Sequence, residues 1–311
     1  MCYLFSSKQG QEFSLGDVLQ PSIDNPKSKI NLVAANNETI LKYRETFRNY
    51  VNYIFQEDIS KPFESDSLPM VKSLAIGMQE FFENYCTEIQ ITTNRNIIDF
   101  EFTPSINQLE REKLKEYFKN KIEMIEEEVF KMKGNFKENS EKISDTVNKN
   151  KNILSSAGVF RDWPNGRLIY KNNKDAFTCF INEEDHLKMT MNTKNPSHMT
   201  NDILFYFDFL ESIEKKVIFA YDKYLGYLNC LSSNLGNGTY YYIKLRIKDD
   251  PTIISEIRKK LNENIKEISI DILKEEGKAI IQLSNKNPYF GFSAIMVEIL
   301  GIKEYLERLN N

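Results

Sequence analysis

Residues 161–188 read RDWPNGRLIYKNNKDAFTCFINEEDHLK. Two apolar runs, GRLIY and AFTCFI, flank the turn-forming run KNNKD, which predicts a pair of adjacent strands. Directly after the second strand stand Glu183, Glu184, Asp185 and His186. Carboxylates crowded at a strand end raise one another's pKa, so such a group suits holding a metal, orienting a cationic substrate or acting as a general base. A solvated acidic turn is the plain alternative. On these residues alone both readings stay open.

Toward the C-terminus, Thr200 opens an amphipathic pattern that predicts a helix to about residue 223. Strands are expected at 226–230 and 239–247, the second alternating clearly. Asp250 with Pro251 at the first helical position starts a helix to about 265. Strands near 268–272 and 278–283 are joined by the tight hairpin KEEG, and a final helix closes the chain over 291–309. Toward the N-terminus, EIQITTN from Glu88 reads as a strand. After the turn around Pro104, Ser105 and Gln108 match a capping box. The helix that follows carries Leu109, Leu114, Phe118, Ile122, Ile125 and Val129 as an apolar stripe. The polar run at 133–151 reads as a mobile excursion. Helical patterns at 37–55 and 68–85 make residues 1–88 a small, mainly helical region, leaving 89–311 as a larger domain. Hairpin-joined strands with helices between them argue for an α+β fold, an antiparallel sheet covered by helices, against a doubly wound parallel one.

The 41 Lys plus Arg against 45 Asp plus Glu give a net charge of -4, so no overall basic field draws the chain to nucleic acid or anionic lipid. No run approaches the length of a membrane span, and the start MCYLFSSKQGQEF lacks a signal-peptide pattern, which predicts a cytoplasmic protein. Cys2, Cys86, Cys179 and Cys230 lie far apart with two histidines in the chain, so neither a zinc site nor a disulfide framework is expected. Trp163 reads as a packing anchor, and Tyr240 to Tyr242 as strand residues alternating between faces.

Three blocks, in order, carry a resemblance: WPNGRLIY followed by NEEDHL at 182–187, GYLNCLSSNLGNG at 226–238, and LSNK at 283–286. Together they resemble the phosphagen kinases, the ATP:guanidino phosphotransferases that include arginine and creatine kinase. The resemblance runs from about Thr92 to the C-terminus; residues 1–88 carry no matching motif. It implies a helical N-terminal domain and a catalytic domain with an antiparallel sheet flanked by helices, the glutamine synthetase-like catalytic fold. It also implies ATP and Mg2+ as cofactors, a guanidino ligand such as arginine, and a homo-oligomer.

By the resemblance, Glu184 is the carboxylate that grips the guanidinium, with Glu183 and Asp185 beside it. The phosphate-facing arginines are another matter. The one after Leu187 is Lys188; those of the early strand fall on Asn94 and Asn96 within TTNRN, with Arg95 on the opposite face. The family's reactive cysteine falls on Leu231, with Cys230 one position earlier, and the arginine after the shared glycine falls on Tyr240. The last pair falls on Asp271 and Lys274, in a loop about three residues shorter than the family's substrate-closing loop. A charge-assisted hydrogen bond contributes about 1.5 to 3 kcal/mol, so four neutral or acidic replacements forfeit roughly 6 kcal/mol or more. That is about four powers of ten in affinity. The expectation is therefore an arginine-kinase-like pseudoenzyme, needing no cofactor and serving a structural, assembly or regulatory role as a homo-oligomer. The alternative is an active phosphotransferase, on free or protein arginine, that uses ATP and Mg2+ with a nucleotide site rebuilt from Lys188, Lys244, Arg246 and Lys274. A third possibility is a sensor of free arginine or phosphoarginine without catalysis.

Overall fold

The structure, a computed structural model, describes residues 13–24, 31–130, 134–138, 155, 158–172, 176–264, 268–275, 277–285 and 287–310. The chain divides into two compact units, each discontinuous in sequence. One comprises residues 1–63, 93–189 and 212–238; the other comprises 64–92, 190–211 and 239–311. The boundary at residue 88 is thus one of sequence pattern, and compaction follows a different grouping.

The main sheet contains β1 (Cys86–Arg95), β2 (Asn135–Glu138), β3 (Leu168–Lys171), β4 (Phe177–Ile181), β5 (Leu187–Thr193), β8 (Thr239–Lys248), β9 (Ile268–Glu275) and β10 (Lys278–Asn285). Its strand order is β2-β3-β4-β5-β1-β8-β10-β9, and β6 (Tyr221–Asp222) pairs with β7 (Gly226–Tyr227) separately. The pairs β2–β3, β3–β4, β8–β10 and β9–β10 are antiparallel. The result is the large antiparallel sheet flanked by helices that the hairpin pattern predicts. Pairing continues to Glu275↔Lys278, and Gly277 between them takes the left-handed backbone, φ 72°.

Several elements differ from the sequence reading, each for a local reason. The expected helix over 37–55 breaks into Asn37–Lys42 and Arg44–Phe55, because Tyr43 leaves helical geometry at ψ 30°. That over 68–85 breaks at Met78, just after the poor helix former Gly77, into Leu68–Gly77 and Gln79–Tyr85. The helix Gln108–Ile125 is capped by Asn107 and Glu110, not by Ser105 and Gln108: Asn107 Oδ1 accepts from Glu110 N–H at 2.9 Å. Ser105 Oγ instead donates to the Ala35 carbonyl and the Glu101 carboxylate. Leu114, Phe118, Ile122 and Ile125 are buried as the stripe requires, whereas Leu109 and Val129 at its ends are exposed.

The helix from Met199 ends at Lys216, short of residue 223, and the expected strand over 226–230 is extended only at Gly226–Tyr227. β5 has no counterpart in the sequence reading, although LKMTMNT alternates and its odd positions Leu187, Met189, Met191 and Thr193 are buried. Within the polar run 133–151, residues 135–138 form the edge strand β2; positions 133 and 139–151 lie outside the described residues, as does Lys286 of the LSNK block. Among the described residues, no helix is long and apolar enough to cross a membrane, and no group of three or more His, Cys, Asp or Glu is placed to hold a metal ion.

Candidate functional site

The acidic segment is a short loop between β4 and β5, closed by the Asn182 N–H donating to the His186 carbonyl at 3.0 Å. Asn182 holds the left-handed backbone that starts the loop, φ 57°, a conformation asparagine tolerates better than most residues. Its amide nitrogen donates to the Arg111 carbonyl at 2.9 Å and the Gly166 carbonyl at 2.7 Å. The loop is therefore anchored to the start of the helix before it and to the WPNGR turn.

Each member of NEEDH faces a different environment. Asp185 is fully buried, and burial raises its pKa. It is held by Asn96 Nδ2, by the Cys230 N–H at 2.9 Å and more distantly by Asn234 Nδ2 at 3.5 Å. Asn96 also accepts from the His186 N–H at 2.9 Å. His186 is fully buried: its Nδ1 accepts from the Ile97 N–H at 3.0 Å, so the proton sits on Nε2 and donates to the Glu101 carbonyl at 2.8 Å. Burial pushes its pKa down to about 3, and the ring is a neutral brace. Phe100 and Phe102 meet it edge-on.

Glu183 and Glu184 both meet Lys188 on β5. Lys188 Nζ lies 2.9 Å from Glu183 Oε2 and 3.7 Å from Glu184 Oε2. Asn234 of the SNLG block donates to Glu184 Oε1 at 2.9 Å. The Glu184 carbonyl is pinned as well, by Thr103 Oγ1 and by Cys230 Sγ at 3.0 Å. Burial raises the Glu184 pKa, and Asp185 adds to the rise while Lys188 opposes it. For Lys188, burial works against the charge, but the two glutamates outweigh it and its pKa rises. Three carboxylates against one ammonium make this a cation-favouring corner. Sequence reasoning did not foresee Asn234, Thr103 or the pairing of Asn96 with Asp185. The SNLG motif was the signal for the first; nothing local marked the other two.

The positions where the resemblance puts phosphate-binding arginines are filled differently. Asn94 and Asn96 are buried, at 2% and 1% exposure, and Asn96 is consumed by Asp185 and His186. Arg95 pairs with Glu214 at 2.9 Å, donates to the Asn237 carbonyl at 2.7 Å and lies over the Tyr227 ring. Leu231 is buried in a bridge to Val33, and burial pushes the Cys230 thiol up, so neither offers a thiolate. Trp163 stacks with Arg167, whose guanidinium lies 5.1 Å from the ring. In this unit the residues at the positions that the resemblance assigns to phosphate do not fit a nucleoside triphosphate: two are neutral core amides and the third, Lys188, is held by acids.

The remaining candidates belong to the other unit. Tyr240, Lys244 and Arg246 share one face of β8, with Tyr241 buried on the opposite face. Lys244, Gln282 and Asp271 form one cross-strand row, so Asp271, which the resemblance sets against an arginine, lies two strands from that lysine on the same face. Lys274 pairs with Ala279 and so faces the other side, where its ammonium meets Asp249 at 3.0 Å. Sheet alternation thus separates Lys274 from Lys244 and Arg246, which the rebuilt nucleotide site had placed together.

A family model for the ATP:guanido phosphotransferase C-terminal catalytic domain matches residues 110–292, more than half of the chain. The chain belongs to the ATP:guanido phosphotransferase family. It is 25% identical over 308 residues to an arginine kinase of Penaeus japonicus, covering 91% of this chain and 83% of that one. Most of residues 1–88 falls inside that match, although the region carries none of the three motif blocks. It is 26% identical over 245 residues to the human M-type creatine kinase, covering 73% of this chain and 63% of that one, so the match spans less than two thirds of that relative. The solved structure of a lombricine kinase superposes with a TM-score of 0.74 at 19% identity, covering 99% of this chain and 89% of that one, a likeness of fold.

Proposed function

We propose that this chain is a non-catalytic member of the family, a pseudoenzyme that keeps the fold and the acidic corner and serves as a self-associating structural or regulatory subunit in the cytoplasm. One observation carries the reading: Asn96 is built into the core as the partner of Asp185 and the His186 N–H. An arginine there would meet phosphate as a charged fork, whereas an asparagine satisfied on both sides has nothing left to offer an anion. The energy forfeited at Asn94, Asn96, Tyr240 and Asp271 is not recovered by Lys188, which the glutamates hold. Self-association rests on the family resemblance. Calorimetry of ATP-Mg2+, with and without arginine, tests the catalytic part, and light scattering on the same sample tests assembly. No ATP binding tighter than about a millimolar, no phosphotransfer and a defined oligomer are expected. Turnover above the blank, or a strict monomer at micromolar concentration, would sink the corresponding half.

A second reading has its own support. Glu184 is held firmly, with one oxygen oriented by Asn234 and its backbone pinned by Thr103, as a carboxylate positioning a guanidinium must be. With Lys244 and Arg246 recruited to nucleotide, the chain would be a phosphotransferase on free or protein arginine, and Glu184→Gln would abolish its turnover.

A further inference from the structure

We infer that Lys188 is a resident cation that occupies the Glu183–Glu184 pair in place of a guanidinium, closing the retained carboxylate to free ligand. The ammonium bridges the two acids at 2.9 and 3.7 Å. All three side chains are withdrawn from water, at 21%, 15% and 14% exposure, so their attraction is weakly screened. Glu184 cannot turn away to meet a ligand elsewhere, because Asn234 fixes its other oxygen and Thr103 and Cys230 hold its carbonyl. A cation arriving from solution must therefore displace a lysine tethered four residues along the same chain, whose effective concentration far exceeds that of a dissolved ligand. Lysine suits this role: its ammonium is a compact point charge on a flexible stem, able to lie between two carboxylates.

The same change explains two features of the site together. It neutralises part of an acid cluster that would otherwise repel itself, and it removes Lys188 from any anion. The inference rests on the non-catalytic reading in that Lys188 is held by the acids and lost to nucleotide, and ligand titration alongside a turnover assay separates the two.

L-arginine is titrated calorimetrically into the wild type, Lys188→Met and Lys188→Met/Glu184→Gln, with a phosphotransfer assay on the same samples. The expected result is at least a tenfold gain in arginine affinity in Lys188→Met, lost again in the double variant. Equal affinity for arginine in wild type and Lys188→Met, including no binding by either, overturns the inference, as does a gain that survives Glu184→Gln. Should Lys188→Met fail to fold, Lys188→Gln takes its place, and lysine-selective 1H–15N spectra of the wild type decide directly. There, an Nζ resonance protected from exchange and unmoved by millimolar arginine is expected; an averaged, fast-exchanging resonance or a ligand-induced shift overturns the inference. Turnover of arginine in the wild type sinks both readings, because it needs a guanidinium at Glu184, while unchanged arginine affinity without turnover sinks the Lys188 inference alone.

Discussion

His186 is neutral because both ring nitrogens are taken by backbone groups that fix which of them carries the proton. An unfolded histidine takes up a proton near pH 6.5, whereas the buried ring resists until about pH 3. The unfolded state therefore binds more protons throughout that window, so this group's contribution is complete above pH 6.5 and is lost as pH falls toward 3. Glu184 and Asp185 act oppositely, since burial raises both and acidification relieves their ionised forms. The ring itself gives the clean readout: its NMR resonances should not titrate between pH 7.5 and 5, and a midpoint near 6.5 would mean that the brace is open to solvent. Asn96→Ala should cost about 2–4 kcal/mol in urea unfolding, because it leaves a buried carboxylate and the His186 N–H without their shared partner. A cost under about 0.5 kcal/mol would show that Asp185 is satisfied without it.

Two glycines with nearly the same φ serve different elements. Gly226, φ 73°, lies so near the 236 backbone that a Cβ would sit 2.5 Å from the Gly236 carbonyl oxygen. Gly277, φ 72°, closes the β9–β10 turn with open space around it. Gly277→Ala should lose about 1–2 kcal/mol from the left-handed backbone alone, and Gly226→Ala about 1–3 kcal/mol more from the clash. Thermal melts of both variants test this, and equal losses would show that the loop around Gly226 simply yields. Elements were legible where periodicity was long, as in the buried stripe of Gln108–Ile125 and the alternation of β8. Their ends were not. Tyr43 and Met78 interrupt helices without Pro, and β2 and β7 are too short to show a period.

For the molecule as a whole, the expected solution behaviour is a closed oligomer without nucleotide affinity. Mass by light scattering, with and without millimolar ATP-Mg2+ and arginine, should be unchanged by ligand; a ligand-dependent mass or melting temperature would point to a working or sensing site. The acidic corner lies within one compact unit and Tyr240, Lys244, Arg246, Asp271 and Lys274 within the other. The Glu183–Glu184–Lys188 cluster therefore belongs to one unit alone.

The sequence by itself determined the family, through NEEDHL and SNLG in their order, and the hairpin-rich sheet, because alternation and turn residues are local properties of the chain. Through the resemblance it also picked out the positions to set against the family's phosphate-facing arginines. What the residues of the site do was decided by tertiary structure: that Asn96 would complete Asp185 across 89 residues, that Asn234 would orient Glu184, and that Lys188 would turn to the glutamates. The reason is physical. A substitution read in sequence removes a charge, but the partner that takes up the vacated hydrogen bonds is chosen by burial, where every polar group must be satisfied by whatever the fold brings within reach.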